Sequence, residues 1–179
     1  MIRKIIKHFV LICKHKWQVF KLCLKVGLFW RGLIHDLSKF SITEFSESVK
    51  YYNGSRSPIG VCRREKGYSL AWLHHKGRNK HHPEYWYDYN CREITIVMPF
   101  KYACEMVCDQ LAAGKTYLGK KWDKGHQLKY FLENKDTFQC NEKLKCFLEE
   151  VYTQIAEKGI DEVVTKNNLR KIYDKYVIK

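Results

Sequence analysis

Nowhere does this sequence contain eighteen consecutive apolar residues, so no segment has the pattern of a membrane-spanning helix. Proline is scarce, at three in 179 residues, which leaves room for long uninterrupted helices. Acidic side chains are also few. Nineteen Asp and Glu face 33 Lys and Arg, and the resulting charge of +14 suits a polyanionic partner, phosphate in some form. None of the eight cysteines forms a CxxC pair, which removes a zinc ribbon. Several fall inside helical patterns, and all eight read as buried, reduced thiols. The N-terminal run is basic and then apolar, but Lys7, His8 and Lys14 interrupt it and no small-residue cleavage site follows, so it does not read as a secretion signal. The expectation is a soluble, cytoplasmic protein in a reducing compartment. A basic amphipathic first helix lying on a membrane surface is the lesser alternative.

Apolar residues make up 45% of the chain and aromatics 15%, far more than a disordered basic tail carries. The length suits one domain with its own core. Apolar side chains recur at helical spacing over 2–26 and 29–38, and Ser41 to Glu44 fits a capping box for a helix reaching about 53. Turn chemistry over 53–67 predicts a long surface loop. A short helix follows at 69–76, then a loop carrying HKGRNKHHP and a small hairpin within 88–97. Further helices are expected from Pro99 and over 127–134, 141–158 and 161–176. This is an all-α, compact helical bundle forming one domain over 1–179. Its larger N-terminal part covers about 1–120 and its C-terminal helices about 125–179.

Seven of the eight histidines precede residue 83 and arrive as His15, His35, the pair His74-His75 and the pair His81-His82, besides His8, which reads as structural. His35 is followed by Asp36, and Asp109 comes later. Imidazole and carboxylate are the ligands of divalent metals, and several must converge from different elements. His15 and Asp109 each interrupt an otherwise apolar helix face, where an unpaired polar group is costly. Something cationic should meet them there. On a helix His35 and Asp36 would diverge by about 100°, so an ion would sit beside that helix with other ligands closing the far side. His75 and His82 are the preferred ligands of the two later pairs.

Gly32 to Lys39, GLIHDLSK, resembles the signature of the HD-domain metal-dependent phosphohydrolase superfamily. In that superfamily an early His, the His-Asp doublet and a late Asp bind the metal. His15, His35, Asp36 and Asp109 stand in that order here. The stretch DQLAAGKTY from Asp109 is similar to one in the branch that cleaves cyclic dinucleotides. HHPE from His81 is similar to that branch's His-His-Glu, although no Gly-Tyr-Pro triplet follows. The chain to about residue 135 resembles an uncharacterised bacterial and phage family marked by HDLSK and WLHHKGRNKHHPEYW.

The resemblance implies an HD-type bundle holding one or two divalent ions (Mn, Co, Ni, Fe, Mg or Zn) and hydrolysing a phosphoester with a metal-activated water. Asp36 and Lys39 would be catalytic. Metal ligands would be His15, His35, Asp36, His75, His82 and Asp109. Lys39 would hold the substrate phosphate, and Lys76, Arg78 and Lys80 would extend the positive field. The partner would be a phosphorylated small molecule or a nucleotide. Two other readings are an HD-type diiron oxygenase and a basic nucleic-acid-binding protein without catalysis.

Overall fold

The computed structural model describes residues 1–88, 90, 91 and 93–177. Ten α-helices occur among them, and no strand. In order they are α1 (Ile2–Lys25), α2 (Phe29–Ile34), α3 (Ile42–Tyr51), α4 (Pro58–Lys66) and α5 (Leu70–Lys76), then α6 (Phe100–Leu118), α7 (His126–Asn134), α8 (Glu142–Lys158), α9 (Ile160–Val163) and α10 (Lys166–Val177).

The core lies where α6 packs against α1 and α10, with α8 packed on α10 in turn. Val107 and Leu111 of α6 belong to the same apolar cluster as Phe147, Leu148 and Val151 of α8, all fully buried. Each such side chain contributes on the order of 1.5–3 kcal/mol through its removal from water. This half needs no help from the histidines. Tyr152 is buried with its hydroxyl donating to Gln110 Oε1 at 2.7 Å, so its polar end is satisfied inside the same packing.

On the other side α2 is drawn tightly onto α1 through Gly32. A Cβ there would sit 2.8 Å from Cys23 Cβ and 3.2 Å from the Phe20 backbone, so only glycine permits the approach. Just beyond, the helix expected over 29–38 breaks. His35 adopts an extended ψ of 127°, and Asp36 has φ +53°, the one non-glycine residue in the left-handed region among those described. A 3₁₀ turn over Leu37–Phe40 then leads to α3, whose N-cap Ser41 accepts from the Glu44 amide at 3.3 Å as the capping box predicts.

Other expectations are corrected. The loop expected over 53–67 holds a helix, α4, started by Pro58 and ended by left-handed Gly67. The last helix is two, divided at Val164 and Thr165, where Asn168 bonds the Val163 carbonyl. The hairpin expected within 88–97 has no strand among its described residues, and positions 89 and 92 lie outside them. Cys13, Cys91 and Cys146 are exposed, whereas the other five cysteines are buried and all eight are free.

Candidate metal centre

Three elements carry donors to one place. The inner line of α1 runs His8, Ile12, His15, Val19, Leu22, a spacing of four and three that keeps one face inward. On α6, Glu105 and Asp109 are one turn apart and share the face packed on α1. Between them the α2–α3 connection inserts His35 and Asp36, and Lys16 Nζ anchors it by donating to the His35 carbonyl.

His15, His35, Asp36 and Asp109 form one group whose donor atoms all lie within 4.8 Å of one another. His15 Nε2 is 3.0 Å from Asp109 Oδ1, and His35 Nε2 is 3.2 Å from Asp36 Oδ2 and 3.4 Å from Asp109 Oδ1. Asp36, His75, His81 and His82 form a second group of the same kind. There His75 Nε2 and His81 Nε2 stand 3.3 and 3.4 Å from Asp36 Oδ1, and His75 Nε2 is 3.0 Å from His82 Nε2. Asp36 therefore turns one oxygen to each group. Donors bound about 2.1 Å from a common ion lie about 3.0–3.4 Å apart along the edges of its coordination shell, a spacing that several of these pairs have, while His15 Nε2 and Asp36 Oδ2 stand wider at 3.9 Å.

The interior state of these atoms fits a cation. His15 Nε2, His35 Nε2, His81 Nε2 and both Asp36 oxygens are buried without a hydrogen-bond partner of acceptable geometry. Native interiors rarely leave so many polar atoms unsatisfied in one place. A divalent ion at each group would engage all of them.

Two carboxylates behind the donors orient the rings. Glu105, fully buried, lies 3.1 Å from His35 Nδ1 and 3.3 Å from His81 Nδ1, and its other oxygen receives Arg31 Nε at 2.7 Å. Glu44 does the same for His74 Nδ1 at 2.6 Å and His75 Nδ1 at 2.7 Å. Carboxylates on Nδ1 leave Nε2 of His35, His75 and His81 directed at Asp36, the arrangement usual behind metal-bound histidines.

Burial alone would push the carboxylates up and the rings down. Burial acts against ionised Asp36, but the charges of His35, Lys39 and His75 hold it well below its ordinary value. Burial likewise opposes Asp109, and His15 and His35 keep it well below. For Glu105, burial is outweighed by His35 and His81, and its pKa falls to about 2. His15 is lowered by burial and by Lys39, and His82 falls well below by burial and the His81 and His75 charges. His35 goes the other way: burial lowers it, but Asp36 and bonds to Asp109, Asp36 and Glu105 raise it well above 6.5. Ionised Asp36 and Asp109 facing the lowered His15 and His82 are in the protonation states that metal binding requires, and His35 would release its proton on binding an ion.

A cavity of about 230 Å³ adjoins both groups, lined by Lys39, His15, Asp109, His75 and His82. Lys39 Nζ lies 2.5 Å from Asp36 Oδ2. The same cavity reaches His8 and Thr116, each seven residues, about 10 Å of helix, from His15 and Asp109. Leu11, Ile12, Pro58, Ile59 and Trp72 add an apolar wall.

A family model matches residues 4–154. The chain belongs to the family of unknown function DUF5662. The matched span of this DUF5662 chain contains every donor of both groups and ends within α8. No curated protein and no solved structure matches it.

Of the residues expected in the site, this DUF5662 chain brings His15, His35, Asp36, Lys39, His75, His82 and Asp109 together. It does not bring Lys76, Arg78 and Lys80 to the cavity. Gly77 ends α5, Arg78 is exposed and reaches back to the His74 carbonyl, and the Lys80 ammonium lies over the Tyr85 and Tyr102 rings. The sequence reading preferred His82 to His81 within that pair, and it gave Glu44 and Glu105 no part in the site. A signal for Glu105 existed in its four-residue spacing from Asp109, whereas choosing among four paired histidines needs the loop's path.

Proposed function

We propose that this protein is a metal-dependent phosphohydrolase that cleaves a small phosphoester such as a nucleotide. The observation that carries the reading is the Asp36 carboxylate, divided between two donor groups beside a cavity that also holds Lys39. His15, His35 and Asp109 would hold one ion and His75, His81 and His82 the other, with Asp36 between them. When bound there, divalent ions would supply an acidified water and polarisation of a phosphoryl oxygen.

The chain's own residues supply the rest. Lys39, on a short turn beside Asp36, offers an ammonium to a phosphate oxygen. Glu105 and Glu44 fix the ring tautomers and so keep donor lone pairs aimed at one point. The recess between α1 and α6 receives the part of the substrate beyond the phosphate, and its enclosure restricts that part to a small group. The similarity of GLIHDLSK to the HD-domain signature supports the same chemistry.

The test is elemental analysis of the purified protein, then phosphate release from a nucleotide and phosphoester panel with Mn²⁺, Co²⁺, Ni²⁺ or Mg²⁺. Metal-stimulated release abolished in Asp36→Asn supports the reading. A protein that binds no metal overturns it. The number of donors, more than four, favours one rival, an HD-type diiron oxygenase. Two irons per chain with oxygen consumption, and no phosphate release, would establish that rival instead.

A further inference from the structure

The helix that carries His15 inward has an outer face with a separate character. Trp17 is 58% exposed, Val10 57% and Ile6 56%, and across the α1–α2 junction Trp30 is 71% exposed. These side chains belong to one surface. Phe9 packs on Phe40, Trp17 stacks on Phe20, Phe20 meets Phe29 and Phe29 meets Trp30, all with ring centroids 5.1–5.8 Å apart. A shallow groove lined by Trp17, Phe20, Leu33 and Phe40 joins the two ends. An exposed apolar area of this extent is uncommon on a protein that meets only water.

Its border is strongly basic, and at the C-terminal end of α1 one acidic side chain, Asp161, pairs with Lys25. The first 35 residues contain eight Lys and Arg and no Asp or Glu. At 100° per residue, Ile6, Val10, Cys13 and Trp17 form one stripe of α1, and Arg3, Lys7, Lys14 and Lys21 form the adjacent one. The metal-site face of α1 lies opposite. Three lanes thus run along a single helix: one buried, one apolar and exposed, one cationic.

We propose that the α1–α2 face docks on an anionic lipid bilayer. Exposed Trp and Phe beside aliphatic residues suit the headgroup boundary, and each flanking Lys or Arg gains from lipid phosphate. Complementarity decides the occupant. A second copy would bring another strongly basic face against this one, whereas anionic lipid supplies the missing charge along Arg3, Lys7, Lys14 and Lys21. No helix among the described residues is long and apolar enough to cross the membrane, so the contact is peripheral. Docking here leaves the opposite face of α1, with His15, inside the bundle. The inference is independent of the hydrolase reading.

Co-sedimentation of the full chain with vesicles of phosphatidylcholine alone, or containing about one third phosphatidylglycerol, tests it. At about 0.1 M salt, binding to anionic vesicles should be at least ~10-fold stronger, with a blue shift of tryptophan emission and weakening as salt rises. Trp17→Glu combined with Leu33→Glu should abolish binding at unchanged melting temperature, since both side chains are exposed. Lys7→Glu with Lys14→Glu and Lys21→Glu should lower it by ~10-fold or more. Wild-type protein left in the supernatant overturns the proposal. So does equal binding by the Trp17 and Leu33 variant, or a dimer that this variant disperses.

Discussion

His35 and Glu105 face each other across the α2–α6 contact with Nδ1 and Oε1 3.1 Å apart, and this leaves the opposite ring nitrogen of His35 aimed between Asp36 and Asp109. Arg31 holds the other Glu105 oxygen, so the carboxylate is fixed at both ends. Glu105→Gln keeps the shape but lets the amide present its NH₂ to the ring. Metal affinity should fall by about 10–100-fold while helical circular dichroism stays within error of wild type. Isothermal titration with Mn²⁺ reads the first quantity. Unchanged affinity would remove Glu105 from any orienting role.

Lys39 pairs with the Asp36 oxygen that faces the His15 group, so an ion bound there would compete with it. Lys39→Ala should therefore bind metal as tightly as wild type or more tightly. The substrate has lost its ammonium partner, so KM should rise by about 10-fold or more. Metal titration and steady-state kinetics on one preparation separate the two effects. Equal kinetic constants for variant and wild type would count against the phosphate-binding role.

Much of this centre was legible in the linear sequence, and the reasons differ by residue. His15 and Asp109 could be found because each breaks an apolar helical face, a pattern that survives without coordinates. The doublet was found by its identity, but its geometry was misjudged. Periodicity continued the helix through 38, whereas the chain breaks at His35 and places Asp36 at φ +53°. That conformation costs a non-glycine residue on the order of 1 kcal/mol and is found where surroundings enforce it. It also frees both Asp36 oxygens from a helix surface, which is how one carboxylate faces two groups. The helix at Pro58–Lys66 was hidden by Gly54, Ser55, Ser57 and Gly60, whose turn chemistry outweighed a weak apolar pattern. Lys76, Arg78 and Lys80 do not line the cavity, which charge alone does not reveal, and the Lys80 ammonium lies over aromatic rings.

Gly32 controls the position of the doublet through close packing. In Gly32→Ala the new methyl meets Cys23 and the Phe20 backbone, and the backbone cannot yield cheaply. Stability should drop by about 1–3 kcal/mol by urea denaturation. Metal affinity should drop with it, since α2 carries His35 and Asp36 outward. Wild-type stability in this variant would show that the α1–α2 contact is loose.

His8 lies buried against Phe45 and Tyr52 with both ring nitrogens unpaired. Burial, then the Lys39 charge, lowers its pKa from 6.5 to about 4. Its folded pKa is below its unfolded one, so the unfolded chain binds the proton first as pH falls. The neutral ring's contribution is intact above pH 6.5 and is lost between 6.5 and about 4, on the order of 2 kcal/mol. Compared with wild type, His8→Phe should lose less stability over that window, measured by urea melts at several pH values in metal-free buffer. Parallel curves for the two proteins would contradict this.

The central claim is that residues far apart in the chain meet to hold cations about one carboxylate. Anomalous diffraction from crystals soaked in Mn²⁺ tests it most directly. The account predicts two peaks flanking Asp36, one among His15, His35 and Asp109 and the other among His75, His81 and His82. Crystals that take up manganese elsewhere, or nowhere, and leave Asp36 without a neighbouring peak would contradict it.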